Sequence, residues 1–189
     1  MYFEVEMDWY SIVKFLHVIV ALIWVGGGFA MAINGVLAER SGDDEGLMRA
    51  IRLSSDLGGL LMVPASLLTL VFGLVMCWFW VGFTDLWITI GLAGYAATFL
   101  IGLLIFKPTS ERLAEMVKRD GITPASLAEG RRMMKVARFD YSVMLVVVAD
   151  MVLKPTLSDT VLLMAMAVVL LIGAASAFGN GATEAQSEA

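Results

Sequence analysis

Charge is scarce in this chain, and so are the side chains that most often carry chemistry. Only 16% of its 189 residues are charged, and it has one histidine and one cysteine. A soluble domain carries about 25% charged residues and does not sustain apolar runs of about 20. The single cysteine, Cys77, lies inside such a run. It cannot form an intrachain disulfide and reads as a small packing residue. The single histidine, His17, excludes bis-histidine haem ligation within one chain, as well as a histidine-rich copper site. The 13 methionines fall mostly singly at helix positions, as core filler rather than a Cu(I) cluster. The glycine runs lack the strand–turn–helix context that cradles phosphate, and the interior offers no Ser-His-Asp set, which excludes nucleotide and hydrolase motifs. The first residues are acidic where a signal peptide needs a basic region, so no cleavage is expected.

What is present is apolar: 59% of residues are hydrophobic and the mean hydropathy is +0.83. The fold class expected is all-α, a polytopic membrane helix bundle in one domain. Five spans are predicted, at about 9–37, 57–81, 86–106, 139–157 and 160–178, with a helical extramembrane loop at 107–138 and a disordered tail at 179–189. Trp9 and Tyr10 suit the headgroup belt at one end of span 1, and Trp78 and Trp80 the end of span 2. In span 3, Gly94, Thr98 and Gly102 recur every four residues as a small face that admits another helix, including one from a second copy. Thr123-Pro124 caps a helix whose Leu127, Arg131, Met134 and Arg138 share a face and lead directly into span 4. That span is short. Phe139 to Leu153 gives 15 residues, or ~22 Å of helix against ~30 Å of hydrocarbon. Eleven of the 13 lysines and arginines fall in the loops on one side, which by the positive-inside rule puts the N-terminus outside and the C-terminus in the cytoplasm. The location expected is a bacterial inner membrane, and the partners expected are the lipid bilayer and a homodimer or larger membrane complex, with no nucleic acid.

His17 is the natural starting point for chemistry, because an imidazole inside a span needs a partner. Helical spacing puts Tyr10, Lys14, His17, Ala21, Trp24 and Gly28 on one face of span 1, and Gly26-Gly27-Gly28 permits close approach of a helix or a ligand. Three readings of His17 compete. It is a packing residue bonded to a backbone carbonyl or to a hydroxyl such as Ser66, an axial haem ligand between spans, or a proton-relay group. Asp150 and Lys154, spaced i, i+4, are expected to face each other on span 4 as an ion pair or a relay. Such a pair would keep Lys154 charged and argue against it as a ligand.

These residues resemble the HemJ family, the membrane protoporphyrinogen oxidases of many bacteria. The pattern covers residues 9 to 155. It comprises Lys14-x-x-His17 with Trp24 in span 1, Met62-Val63-Pro64-Ala65 through Thr69 to Phe72-Gly73-Leu74 in span 2, Gly94-Tyr95, and Val152-Leu153-Lys154-Pro155. The resemblance implies haem b binding with His17 and Lys154 as the binding residues, Lys14 and Trp24 beside them, and oxidoreductase chemistry. The chain departs from that pattern where Thr84-Asp85-Leu86-Trp87 opens span 3, at Ala96, and at Arg138-Phe139-Asp140-Tyr141-Ser142; Asp150 and span 5 are additions. The chain also resembles an uncharacterised family of bacterial predicted integral membrane proteins sharing its Leu-His and Trp-x-Gly-Gly opening. The rival class is a non-catalytic membrane subunit or small-solute permease without a cofactor.

Overall fold

The computed structural model describes residues 8–179, so the expected tail beyond Gly179 lies outside the described residues. The described chain is a set of antiparallel helical rods joined by tight turns. Helix α1 spans Trp9–Ser41, 33 residues without interruption. Its start is fixed by Asp8, whose carboxylate accepts from the amide and hydroxyl of Ser11, a cap that satisfies one orphan amide. Its end is fixed by Gly42 in the left-handed conformation at φ 68°.

The second rod consists of α2 (Asp44–Leu57) and α3 (Val63–Met76), with a wider helical turn at Gly58–Met62 between them and another at Cys77–Val81. The third consists of α4 (Leu86–Ile101) and α5 (Lys107–Asp120), joined by a wide turn at Gly102–Phe106. The stretch 38–56, expected as a loop, is therefore mostly helix, and span 3 does not stop at Lys107-Pro108. The physical reason is the same in both rods. A proline within a helix lacks an N–H, and its ring strikes the carbonyl one turn back. Here Pro64 and Pro108 each follow a turn that opens at glycine, where Val63 donates to the Gly58 carbonyl and Lys107 to that of Gly102. Widening to the i→i+5 pattern absorbs the ring without breaking the rod.

Helix α6 runs unbroken from Pro124 to Leu153 behind a Thr123–Ser126 capping box, as the sequence predicts. After a turn in which the Asp159 carboxylate accepts from the Thr156 amide and hydroxyl, α7 covers Thr160–Phe178. Those bonds hold the Asp159 carboxyl below the usual carboxylate range. Four continuous helices among the described residues are long and apolar enough to cross a membrane: Trp9–Ser41, Asp44–Val81, Leu86–Asp120 and Thr160–Phe178. Helix α6, with the shortest apolar stretch, packs instead against α4, α7 and α1.

At one end of the bundle α2, α5 and the first half of α6 form a cap with its own core of Leu47, Met48, Ile51, Leu113 and Met134. The helical extramembrane loop is thus part of a packed layer. Arg138 of α6 pairs with Glu39 of α1, and Ser55 donates to Ser110 at 3.2 Å, tying α2 to α5. At the opposite end Tyr10 meets Trp80 edge to face, with ring centres 5.7 Å apart.

Packing explains the small residues. Gly28 admits the Tyr141 hydroxyl, which would lie 2.7 Å from a Cβ there, and Gly27 admits Met62. Gly94, on the small face assigned above to a partner helix, is instead filled by Val147 of α6. The chain itself occupies that part of the face.

Candidate functional site

Side-chain contacts sort the expected site residues. His17 bonds through Nδ1 to the Thr69 carbonyl at 2.8 Å. A carbonyl can only accept, so Nδ1 carries the proton and Nε2 keeps its lone pair. The ring lies over Gly73, where a Cβ would come within 3.2 Å of Cε1. Thr69 and Gly73 sit one turn apart on α3, so one residue supplies the acceptor and the other the space. Gly73→Leu is expected to expel the imidazole and break this bond, lowering stability by about 1–3 kcal/mol. Thermal unfolding in detergent, together with the imidazole NMR signals, would check it.

Lys14 does not turn to His17; its ammonium lies 5.8 Å from the Tyr10 ring centre on its own helix. Trp24 meets Tyr95 of α4 edge to face at 5.4 Å. The Asp150–Lys154 pair is not formed. Helix α6 ends at Leu153, and Lys154 turns left-handed at φ 47° as its cap, which takes the side chain off the helix face. Its ammonium lies 4.9 Å from the Trp87 ring centre, a cation–π contact. Asp150 is fully buried beside Gly91 of α4, and neither carboxyl oxygen has a hydrogen-bond partner. No cluster of three histidine, cysteine or acidic side chains able to hold a metal occurs among the described residues.

A different site emerges between the rods. A cavity of about 470 Å³ lies between α1, the α2–α3 rod, the α4–α5 rod and α6, well within the range of ligand pockets. Its walls are mainly apolar, with Trp24, Met31, Met62, Phe99 and Met144 among them. Asp140, Tyr141 and Thr98 also line it. Asp140 is 6% exposed and Thr98 7%. Asp140 Oδ1, Thr98 Oγ1 and the Tyr141 hydroxyl make no hydrogen bond of good geometry, although the Thr98 hydroxyl lies near enough to the Asp140 carboxyl to interact with it. Buried polar atoms are nearly always satisfied, so three orphans facing one apolar space need an explanation. Two hydroxyls and a carboxyl can together donate to and accept from one polar group. Ser66, also on the wall, is already satisfied by the Val63 carbonyl at 2.9 Å. Lys107, Ser110 and Glu111 mark the end of the cavity nearest the cap.

Of the five site residues expected from the sequence, only Trp24 lines this cavity. His17, Lys14, Asp150 and Lys154 lie elsewhere. A family model described as predicted integral membrane protein (DUF2269) matches residues 11–155. The chain belongs to the DUF2269 family. The family match takes in the whole cavity and His17, and leaves α7 outside. No curated protein and no solved structure matches the chain. Asp140 was missed because it stands where the apolar stretch of α6 begins, and an acid there reads as the edge of a span. The available signal was that α6 is amphipathic up to that residue and then continues without a cap or breaker, which carries Asp140 inside.

Proposed function

We propose that this DUF2269 chain is a five-span protein of the bacterial inner membrane that binds an apolar molecule bearing one polar end in the cavity between α1, α3, α4 and α6, as a carrier or permease rather than through a resident cofactor. The observation that supports it is the trio of orphan polar atoms on Asp140, Tyr141 and Thr98 in an otherwise apolar wall. A ligand hydroxyl, amine or carbonyl would satisfy them while its apolar part fills the rest, and it would be discriminated strongly because its absence leaves buried groups unpaired. The distribution of lysine and arginine puts the N-terminus outside and the capped end of the cavity in the cytoplasmic leaflet. Mass spectrometry of solvent extracts from the detergent-purified protein provides the test. One small apolar compound is expected to be retained near stoichiometry in the wild type and lost in Asp140→Leu. Equal retention in both would overturn the reading.

One further observation favours a second reading, haem b and oxidoreductase chemistry at His17. The Nδ1–H···O=C bond to Thr69 leaves Nε2 as the free nitrogen, the arrangement in which histidines ligate metals. His17 would hold the iron, and bound haem would supply redox or porphyrin chemistry. Against it, Lys154 is engaged with Trp87, so the second ligand that the HemJ resemblance implies is turned elsewhere. A Soret band in protein from haem-replete cells, abolished by His17→Ala, is the expected sign; colourless folded protein would exclude it.

A further inference from the structure

Four rods surround the cavity, and three of the four seams between them are packed: α1 against α3, α1 against α6, and α4 against α6. The fourth is the loosest. Helices α3 and α4 are neighbours in sequence, joined by the short turn at 82–85, yet their backbones approach each other far less than those of the other three pairs. Consecutive antiparallel helices normally close that seam, so its opening calls for a cause. The cause lies in the two proline-linked wide turns, one in each rod. Gly58 and Gly59 stand at the first and Gly102 at the second, all three line the cavity, and a Cβ at any of them would meet nothing within 4 Å. Glycines at a packed helix contact show the opposite, as Gly27, Gly28 and Gly94 do here. The capped end of the seam is closed by the Ser55–Ser110 bond. Leu60, Leu61 and Leu104 within the wide turns are exposed, and Leu103 is exposed at the edge of the cavity. An opening rimmed by leucines and glycines faces hydrocarbon rather than water.

We infer that the cavity is loaded sideways from the bilayer through the α3–α4 seam, and that its ligand is a membrane-dissolved amphiphile with an alcohol-like end that donates to Asp140 and accepts from Tyr141 and Thr98. This rests on the cavity being the binding site, and adds the route and the ligand class. Asp140 and Thr98 are each more than nine-tenths buried and, though close to each other, make no well-formed hydrogen bond, so the site selects for a polar end. The rim has no charged group at the glycines, so the ligand arrives with its tail still in lipid. Ser55, Ser110 and Glu111 at the capped end mark the competing aqueous route.

The test uses the full chain in phosphatidylcholine vesicles, with Trp9, Trp78, Trp80 and Trp87 changed to phenylalanine so that Trp24 in the cavity wall is the sole fluorophore. The probe is a long-chain alkanol brominated beside its hydroxyl. Saturable quenching of Trp24 is expected, and Asp140→Leu is expected to remove its saturable part. Filling the rim with Gly59→Phe and Gly102→Phe is expected to slow the approach to saturation about tenfold or more, read as a rate constant normalised to each variant's own plateau. A Cβ at either glycine meets no neighbour within 4 Å; Gly58→Leu provides an independent rim block. If quenching saturates and depends on Asp140 but neither rim block changes its rate, the lateral route is wrong and the cavity reading survives. If quenching never saturates, or ignores Asp140, the binding site itself is wrong and the route falls with it.

Discussion

Asp140→Leu is expected to make this protein more resistant to heat while abolishing ligand retention. A buried carboxyl oxygen without a partner costs stability, about 1–3 kcal/mol for an unsatisfied polar group. Asp140 contributes such an oxygen, and leucine removes it at a site that borders free volume. Gain of stability with loss of binding is the signature of a group kept for function. Asp140→Asn keeps a donor and an acceptor and is expected to retain part of the binding. Ser66→Ala, on the same cavity lining but already bonded to its own helix, should alter binding little. A melting temperature that falls in Asp140→Leu while the ligand stays bound would make Asp140 a structural residue and remove the main support for the cavity.

The second large effect is expected at Gly173 of α7. A Cβ there would overlap both the hydroxyl and the Cβ of Ser142 on α6. The Ser142 Cβ is fixed to the backbone and cannot swing away as the end of a flexible side chain can, so Gly173→Leu must push α7 off α6. The expected loss is about 3 kcal/mol or more, read as a lowered thermal midpoint and aggregation in detergent. Pairing it with Ser142→Gly should recover part of that loss, and the double-mutant cycle measures how much of the α6–α7 contact passes through this one point. Additivity of the two changes would show that α7 is held elsewhere.

The two sites were not equally legible in the sequence. Hydropathy and periodicity were enough for an all-α membrane bundle and for α6 entering the bundle without a break, because those depend on local pattern. The same reasoning closed span 3 at Lys107-Pro108. A single proline does mark a boundary unless a wide turn precedes it, and that is decided by hydrogen bonds five residues apart. His17 drew attention because it is unique, and its partner proved to be a main-chain carbonyl, which no side-chain pattern reveals. The i, i+4 spacing of Asp150 and Lys154 suggested a pair, but the helix ends between them and the lysine finds Trp87 instead. Asp140, Tyr141 and Thr98 come together only through the α4–α6 packing, where Gly94 accepts Val147. Nothing within either helix alone announces it.

The placement of α6 bears on how the protein is made. This helix holds the buried acids Asp140 and Asp150 and is the least able of the rods to leave the translocation machinery for lipid unaided. It is flanked by α1 and α4, made before it, and by α7, made after it. Its packing is therefore a late event of biogenesis, conditional on a groove left by the earlier helices and sealed by the last. Interrupting synthesis before Thr160 would leave the Ser142 face of α6 bare, at the moment when quality-control proteases sample the nascent chain.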